Sequence, residues 1–145
     1  MNKEYLNVYK KTQQSVNIVA TPHEIVRSLM KELVNSMNKI VMDIQYDKKK
    51  SNSVEEYQRK SQRNIKKKSK NFSKTLSIIY GLQVSLDFDK SQEISISLFQ
   101  LYEYCRQQII KGFSKQSETE IIKSMDVIRE IVEGWELIPN TERQL

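Results

Sequence analysis

Two side chains in this sequence have the chemistry of a nucleophile and a base, Cys105 and His23, and each is the only residue of its type. They lie far apart in the chain, so only the fold could pair them, and no third residue is spaced to complete a triad. Cys105 falls inside an apolar run and reads as a small core side chain rather than an activated thiol. His23 follows Pro22 near a helix start and reads as a solvated surface imidazole. No His/Cys cluster has the spacing of metal ligands. The three glycines are scattered and build no loop that could cradle a phosphate. The carboxylates Glu55, Glu56, Glu118 and Glu120 stand at helix starts, where the helix dipole accounts for them. The expectation is a protein that is not an enzyme, with no catalytic or metal residue, no cofactor and no small-molecule substrate.

Binding is the chemistry that remains, and the stretch from Asp89 to Phe113 carries it. Ile94, Leu98, Leu101, Cys105 and Ile109 recur at steps of three and four and share one helical face. Ile96, Phe99 and Tyr102 widen that face, and Tyr104 lies further round. Asp89 or Ser91 can cap the start, and Gly112 can close the end as a left-handed residue. A helix apolar over so much of its circumference must be covered on more than one side. A chain this short supplies part of the cover, and a partner is expected to supply the rest.

Other helices must position this one. Thr21-Pro22-His23-Glu24 is a capping box with proline at the first helical position. After it Ile25, Leu29, Leu33, Met37, Ile40 and Ile44 form a stripe, predicting a helix from Pro22 to about Tyr46. Ser53-Val54-Glu55-Glu56 is a second capping box, opening a helical segment that runs to about Leu86. Ser117-Glu118-Thr119-Glu120 is a third, followed by the stripe Ile121, Met125, Ile128, Val132 and Trp135 to about Leu137. Trp135 reads as an anchor for that last helix. Residues 1–20 are polar with scattered apolar anchors, a short arm able to lie on a groove or to fray.

Only three Gly and two Pro occur, and alternating β-branched runs are absent, which argues for helix throughout. Connectors of a few residues suit antiparallel neighbours. The fold class expected is all-α: an antiparallel up-down four-helix bundle with a short N-terminal fifth element, forming a single domain over 1–145. One cysteine permits no internal disulfide and fits a reducing compartment. No run of 18 apolar residues could span a membrane, and the first residues lack the apolar core of a signal peptide. A cytosolic location without membrane insertion is expected.

The net charge of +6 is concentrated. Between Asp47 and Lys74 eleven Lys/Arg face three Asp/Glu, a local +8, and the rest of the chain is mildly acidic. Arg59, Lys60, Arg63, Lys66, Lys67, Lys68 and Lys70 form its centre. A solvated helix face is the first reading, and a patch for an acidic partner the second. A nucleic-acid-binding adaptor is the third. Clustered cations favour it, but Tyr57 and Phe72 are the only aromatics near enough to stack on bases, and no groove-entering motif is present. A self-assembling structural bundle, its apolar surface closed in a weak homodimer, is a further alternative to a monomer.

Four segments together resemble one family. Glu93-Ile94, Leu98 and Leu101-Tyr102-Glu103-Tyr104 are similar to the "GGEIAxNLxxLYxYM" segment of the FliS family, the flagellar export chaperones that bind flagellin. Ser91-Gln92 replaces the Gly-Gly, Ser97 the Asn, and Cys105 the Met. "ATPHEIVRSLMKEL" resembles the family's "ASPxELIxMLYDGxI", departing at Lys31-Glu32-Leu33. The run from Lys74 to Asp87 resembles "KAQxIIxxLxxxLD", and "MDVIREIVEGWELI" its closing helix, with Trp135 on the family's Trp. The segment 47–72 is longer and more basic than the family pattern. The resemblance implies an embellished four-helix bundle in the bacterial cytosol. It would hold the disordered C-terminal segment of flagellin in an apolar helical groove, prevent premature polymerisation and deliver it to the flagellar export gate. Ile94, Leu98, Leu101 and Tyr102 would line part of the groove. Leu6 and Tyr9 would cap it when empty.

Overall fold

A computed structural model describes residues 21–138, apart from Asn64 and Ser91. The elements are α1 (Pro22–Lys49), α2 (Val54–Arg63), α3 (Ile65–Val84), α4 (Gln92–Lys115) and α5 (Glu118–Glu136). Every described element is a helix, so the all-α bundle expected from composition is what forms. The segment expected as one helix from Ser53 to Leu86 consists of α2 and α3. Leu6 and Tyr9, expected to cap a groove, lie outside the described residues.

The start of α1 follows its sequence signal. The Thr21 hydroxyl accepts from the Glu24 N–H, and the Glu24 carboxylate accepts from the Thr21 N–H, both at 3.2 Å. Six apolar residues predicted to share one face of α1 (Ile25, Leu29, Leu33, Met37, Ile40 and Ile44) are all buried. At α2 the Ser53 hydroxyl caps the Glu56 N–H at 3.1 Å, but the Glu56 carboxylate reaches past Ser53 to the Asn52 N–H at 2.8 Å. The third capping box does not form as expected: Ser117 occupies the cap position of α5 without a side-chain cap bond.

Polar cross-links show how neighbours run. Lys48 meets Glu118 at 2.5 Å and Arg27 meets Glu136 at 2.7 Å, so α5 runs antiparallel to α1. Lys74 pairs with Glu32, Ser36 shares a hydrogen bond with Thr75, and Lys68 pairs with Asp47, so α3 does the same. Gln83 bonds Glu103 at 3.0 Å and Phe72 stacks on Phe113 at 4.1 Å, setting α4 antiparallel to α3. Cys105 lies against the Ser124 carbonyl at 3.7 Å, closing the ring of contacts between α4 and α5. The core at the centre is aliphatic, with Leu29, Met30, Leu33, Ile40, Ile78, Ile79, Ile109 and Ile128 almost wholly buried.

The turn out of α4 corrects an expectation. Gly112 lies inside the helix and no described glycine has positive φ; Gln116 takes the left-handed position instead, at φ 50°. The Ser117 N–H returns to the Gly112 carbonyl at 2.9 Å and the Gln116 N–H to the Phe113 carbonyl at 3.1 Å, the paired closure of a Schellman turn. Gly112 serves a different purpose. A Cβ there would stand 2.9 Å from both Ile121 Cγ1 and the Ser117 carbonyl oxygen, so its hydrogen lets α4 and α5 approach. At the other end of α4, Ser91, one of the two expected caps, lies outside the described residues, and Asp87 organises the connector. Its carboxylate accepts from the Asp89 and Lys90 N–H groups at 3.0 and 3.2 Å, and its carbonyl accepts from the Ser95 hydroxyl at 2.8 Å.

Candidate functional site: the apolar shoulder of α4

The face of α4 that enters the core is not its most apolar face. Ser95, Tyr102, Cys105, Ile109, Gly112 and Phe113 point inward. Ser95 is tolerated because its hydroxyl is satisfied at the Asp87 carbonyl. The expected stripe holds from Cys105 onward, but its first half is turned outward: Ile94 is 52% exposed, Leu101 39% exposed, and Leu98 half-buried. The helical period places Ile94 and Leu101 along the edge of α4 beside α5, Phe99 along the edge beside α3, and Tyr104 and Ile96 on the outer side between them. All five are exposed. Phe99 meets Phe88 of the connector edge-on, with centroids 6.3 Å apart. Tyr80 and Val84 near the end of α3 are exposed as well.

Of the four residues expected to line a groove, three thus reach the surface in different degrees, and Tyr102 lies beneath them. It is 1% exposed, its hydroxyl directed at the Met30 sulfur at 3.9 Å. Burial raises its pKa well above the ordinary tyrosine value. Tyr102 forms the floor of a small cleft whose walls are Val26, Leu82, Leu86, Ile94, Leu98 and Trp135. The cleft holds about 30 Å³, room for a water or two and not for a metabolite. Any large ligand here lies along the shoulder rather than entering it.

The wall formed by Trp135 overturns the reading of His23. That imidazole is buried, not solvated. It stacks on Trp135 with centroids 4.9 Å apart and planes 8° from parallel. Its Nε2–H donates to the Trp135 carbonyl at 2.7 Å, while the Trp135 indole N–H donates to the His23 carbonyl at 2.9 Å. His23 and Cys105 therefore engage different partners and make no couple. Burial pushes the Cys105 thiol up to about 12, which suits packing and not nucleophilic attack. Among the described residues no group of three or more His, Cys, Asp or Glu could hold a metal ion. No described helix is long and apolar enough to cross a membrane.

The chain has a counterpart among known families. Residues 2–142 match the family described as "Flagellar protein FliS". The chain belongs to the FliS family. A relative, the "Flagellar secretion chaperone FliS" of Vibrio cholerae serotype O1, is 27% identical over 135 residues, which cover 92% of this chain and 88% of that protein. No solved structure matches the chain. The FliS-like segment of α4 splits between two tasks here. Tyr102 and Cys105 build the core, while Ile94, Leu101 and Tyr104 face outward. The sequence did not single out Val26, Leu86 or Phe88 as part of this apolar surface. Their only signal is position, since Val26 lies in the second turn of α1 and the other two flank the Asp87 turn.

Proposed function

We propose that this chain is a flagellar secretion chaperone that holds the disordered C-terminal region of flagellin along the apolar shoulder of α4. The observation that carries the reading is the outward turn of Ile94 and Leu101, with Leu98 half-buried between them and the core. Contiguous exposed apolar surface marks an interaction site. An amphipathic helix laid in a groove is the mode that fits a helical wall with residues at one-turn spacing. A disordered client loses entropy on ordering, so the surface must be long and apolar to compensate. Tyr102 supports it from below. Covering the client would keep its assembly surface hidden in the bacterial cytosol until delivery to the export gate. Leu6 and Tyr9 would occupy the shoulder when no client is bound. Membership of the FliS family and the name of the Vibrio relative support the reading.

The test is a pull-down of the cell's own flagellin, whole and lacking its C-terminal segment, with Leu98→Asp as the probe of the surface. Leu98 is half-buried at the rim of the shoulder, so the variant is checked first for retained helical structure by circular dichroism. Whole flagellin is expected to bind and the truncated form to fail. Leu98→Asp is expected to weaken binding by about 30-fold or more, the scale of a central anchor. Binding of the truncated client, or parental affinity in the variant, removes the assignment.

A further inference from the structure

The basic segment was open to three readings, and the fold sorts its cations into two groups. Lys68 is 2% exposed and belongs to the interior. It pairs with Asp47, and its ammonium donates to the Gln116 side-chain oxygen at 2.8 Å. Tyr57 donates to the backbone carbonyl of the same Gln116. These bonds tie α2 and the first turn of α3 to the ends of α1 and α4. Lys60 is also engaged, with Glu56 at 3.1 Å and the Lys50 carbonyl at 2.5 Å.

The second group is Arg59 and Arg63 on α2, with Lys66, Lys67 and Lys70 on α3. All five are exposed, and none makes an ion pair with a described carboxylate. Arg59 and Arg63 stand one turn apart, as do Lys66 and Lys70. Like charges at that spacing weaken a helix, so the arrangement opposes the stability of the elements that carry it. Two open depressions meet at Arg63, one lined by Arg59 and Gln62, the other by Tyr46, Lys50 and Lys60. The buried Lys68–Asp47 pair holds this face in place before any ligand arrives, which lowers the ordering cost of binding.

We infer that the cationic face of Arg59, Arg63, Lys66, Lys67 and Lys70 is a docking surface for an acidic helical segment of a partner protein. Charge complementarity sets the sign of the occupant. The one-turn spacing of the cations matches carboxylates repeated along a helix. Nucleic acid fits less well because the two rings within the basic segment that could stack on bases are spent. Phe72 is stacked on Phe113 and Tyr57 is tied to Gln116, which leaves exposed Tyr46 as the one described ring beside the cations, too few for successive bases. The face lies at the opposite end of the bundle from the α4 shoulder. Val26 beside the cleft and Asp47 beneath the cations are roughly 30 Å apart along α1 at the helical rise. The two surfaces can therefore be occupied together, and the inference does not depend on the flagellin reading.

The test measures binding of three fluorescent probes to the full chain at low and physiological salt. They are a helical peptide with glutamates at one-turn spacing, a peptide of the same composition with that spacing scrambled, and a single-stranded DNA oligonucleotide of equal charge. The spaced peptide is expected to bind tightest and to weaken with salt. The triple variant Arg63→Gln, Lys67→Gln, Lys70→Gln is expected to lose about tenfold in its affinity, the scale of several rim charges acting together. Circular dichroism controls for folding; the single variant Lys67→Gln, expected to lose part of that affinity, replaces the triple if the triple unfolds. Tighter binding of the oligonucleotide, equal binding of the scrambled peptide, an unaffected variant, or no binding by any probe each overturns the inference.

Discussion

His23 and Trp135 hold each other by three contacts of two kinds: their rings stack, and each side-chain N–H donates to the other's backbone carbonyl. The pair joins the first turn of α1 to the last turn of α5, residues 112 positions apart in sequence. Trp135 also builds one wall of the cleft over Tyr102. Replacing Trp135 by Ala removes the stack, the donor and the wall together. The expected loss is about 3–5 kcal/mol, the range for a large aromatic deleted from a core. Trp135→Phe retains a ring and loses the donor, for a cost of about 1 kcal/mol. Urea unfolding followed by circular dichroism measures both; a Trp135→Phe variant as stable as the parent would show that the indole N–H contributes nothing, and equal costs for the two variants that the ring contributes nothing.

A second clamp closes the opposite end. Lys68 and Asp47 are both almost fully buried, and Gln116 adds a hydrogen bond to the ammonium. Truncating one partner strands the other's charge. Lys68→Met is expected to destabilise by about 3–5 kcal/mol, whereas Lys68→Met with Asp47→Leu recovers most of the loss, because an apolar pair avoids the desolvation cost. A double variant no more stable than the single one would mean that the ion pair has no such role.

How far these contacts could be read in advance depends on their range along the chain. The Thr21 capping box and the buried stripe of α1 are local patterns, and both form as the sequence indicates. The direction of α4 was not readable in the same way. Its apolar arc is wider than the arc the bundle can bury, so periodicity located the helix but not which part of the arc turns inward. Tyr102, expected in a groove beside Ile94 and Leu101, faces the core with Ser95, whose hydroxyl is bonded to the Asp87 carbonyl. His23 and Lys68 look like surface residues in any local window. Their partners Trp135, Asp47 and Gln116 come from distant segments, and nothing in the neighbouring sequence announces them.

The two helical glycines of α4 and α5 should respond oppositely to a methyl group. At Gly112 a Cβ meets Ile121 and the Ser117 carbonyl at 2.9 Å, and a backbone atom cannot be pushed aside cheaply. Gly112→Ala is expected to cost about 1–3 kcal/mol in spite of its better helix propensity. At Gly134 nothing lies within 4 Å of the added atom, so Gly134→Ala should gain up to about 1 kcal/mol. Thermal unfolding of both variants gives the comparison. Stabilisation by Gly112→Ala would show that α4 and α5 are not in close approach there.

The Glu103–Arg106 pair predicts a defined acid sensitivity. Arg106, and then Gln83, hold the Glu103 carboxyl down to about 2 in the folded chain, against an ordinary value of 4.5. A carboxyl whose folded value is depressed contributes stability above its unfolded value and loses it as pH falls through the folded value. Glu103→Gln should therefore lower stability by a constant amount at neutral pH. The gap to the parent should narrow as pH drops below 4.5 and vanish near 2. The effect is a fraction of a kcal/mol, because the pair is partly exposed and water screens it. Urea midpoints across that pH range provide the measurement. A gap that stays constant down to pH 2 would show that the loss in Glu103→Gln comes from packing against Gln83 and not from the carboxylate charge.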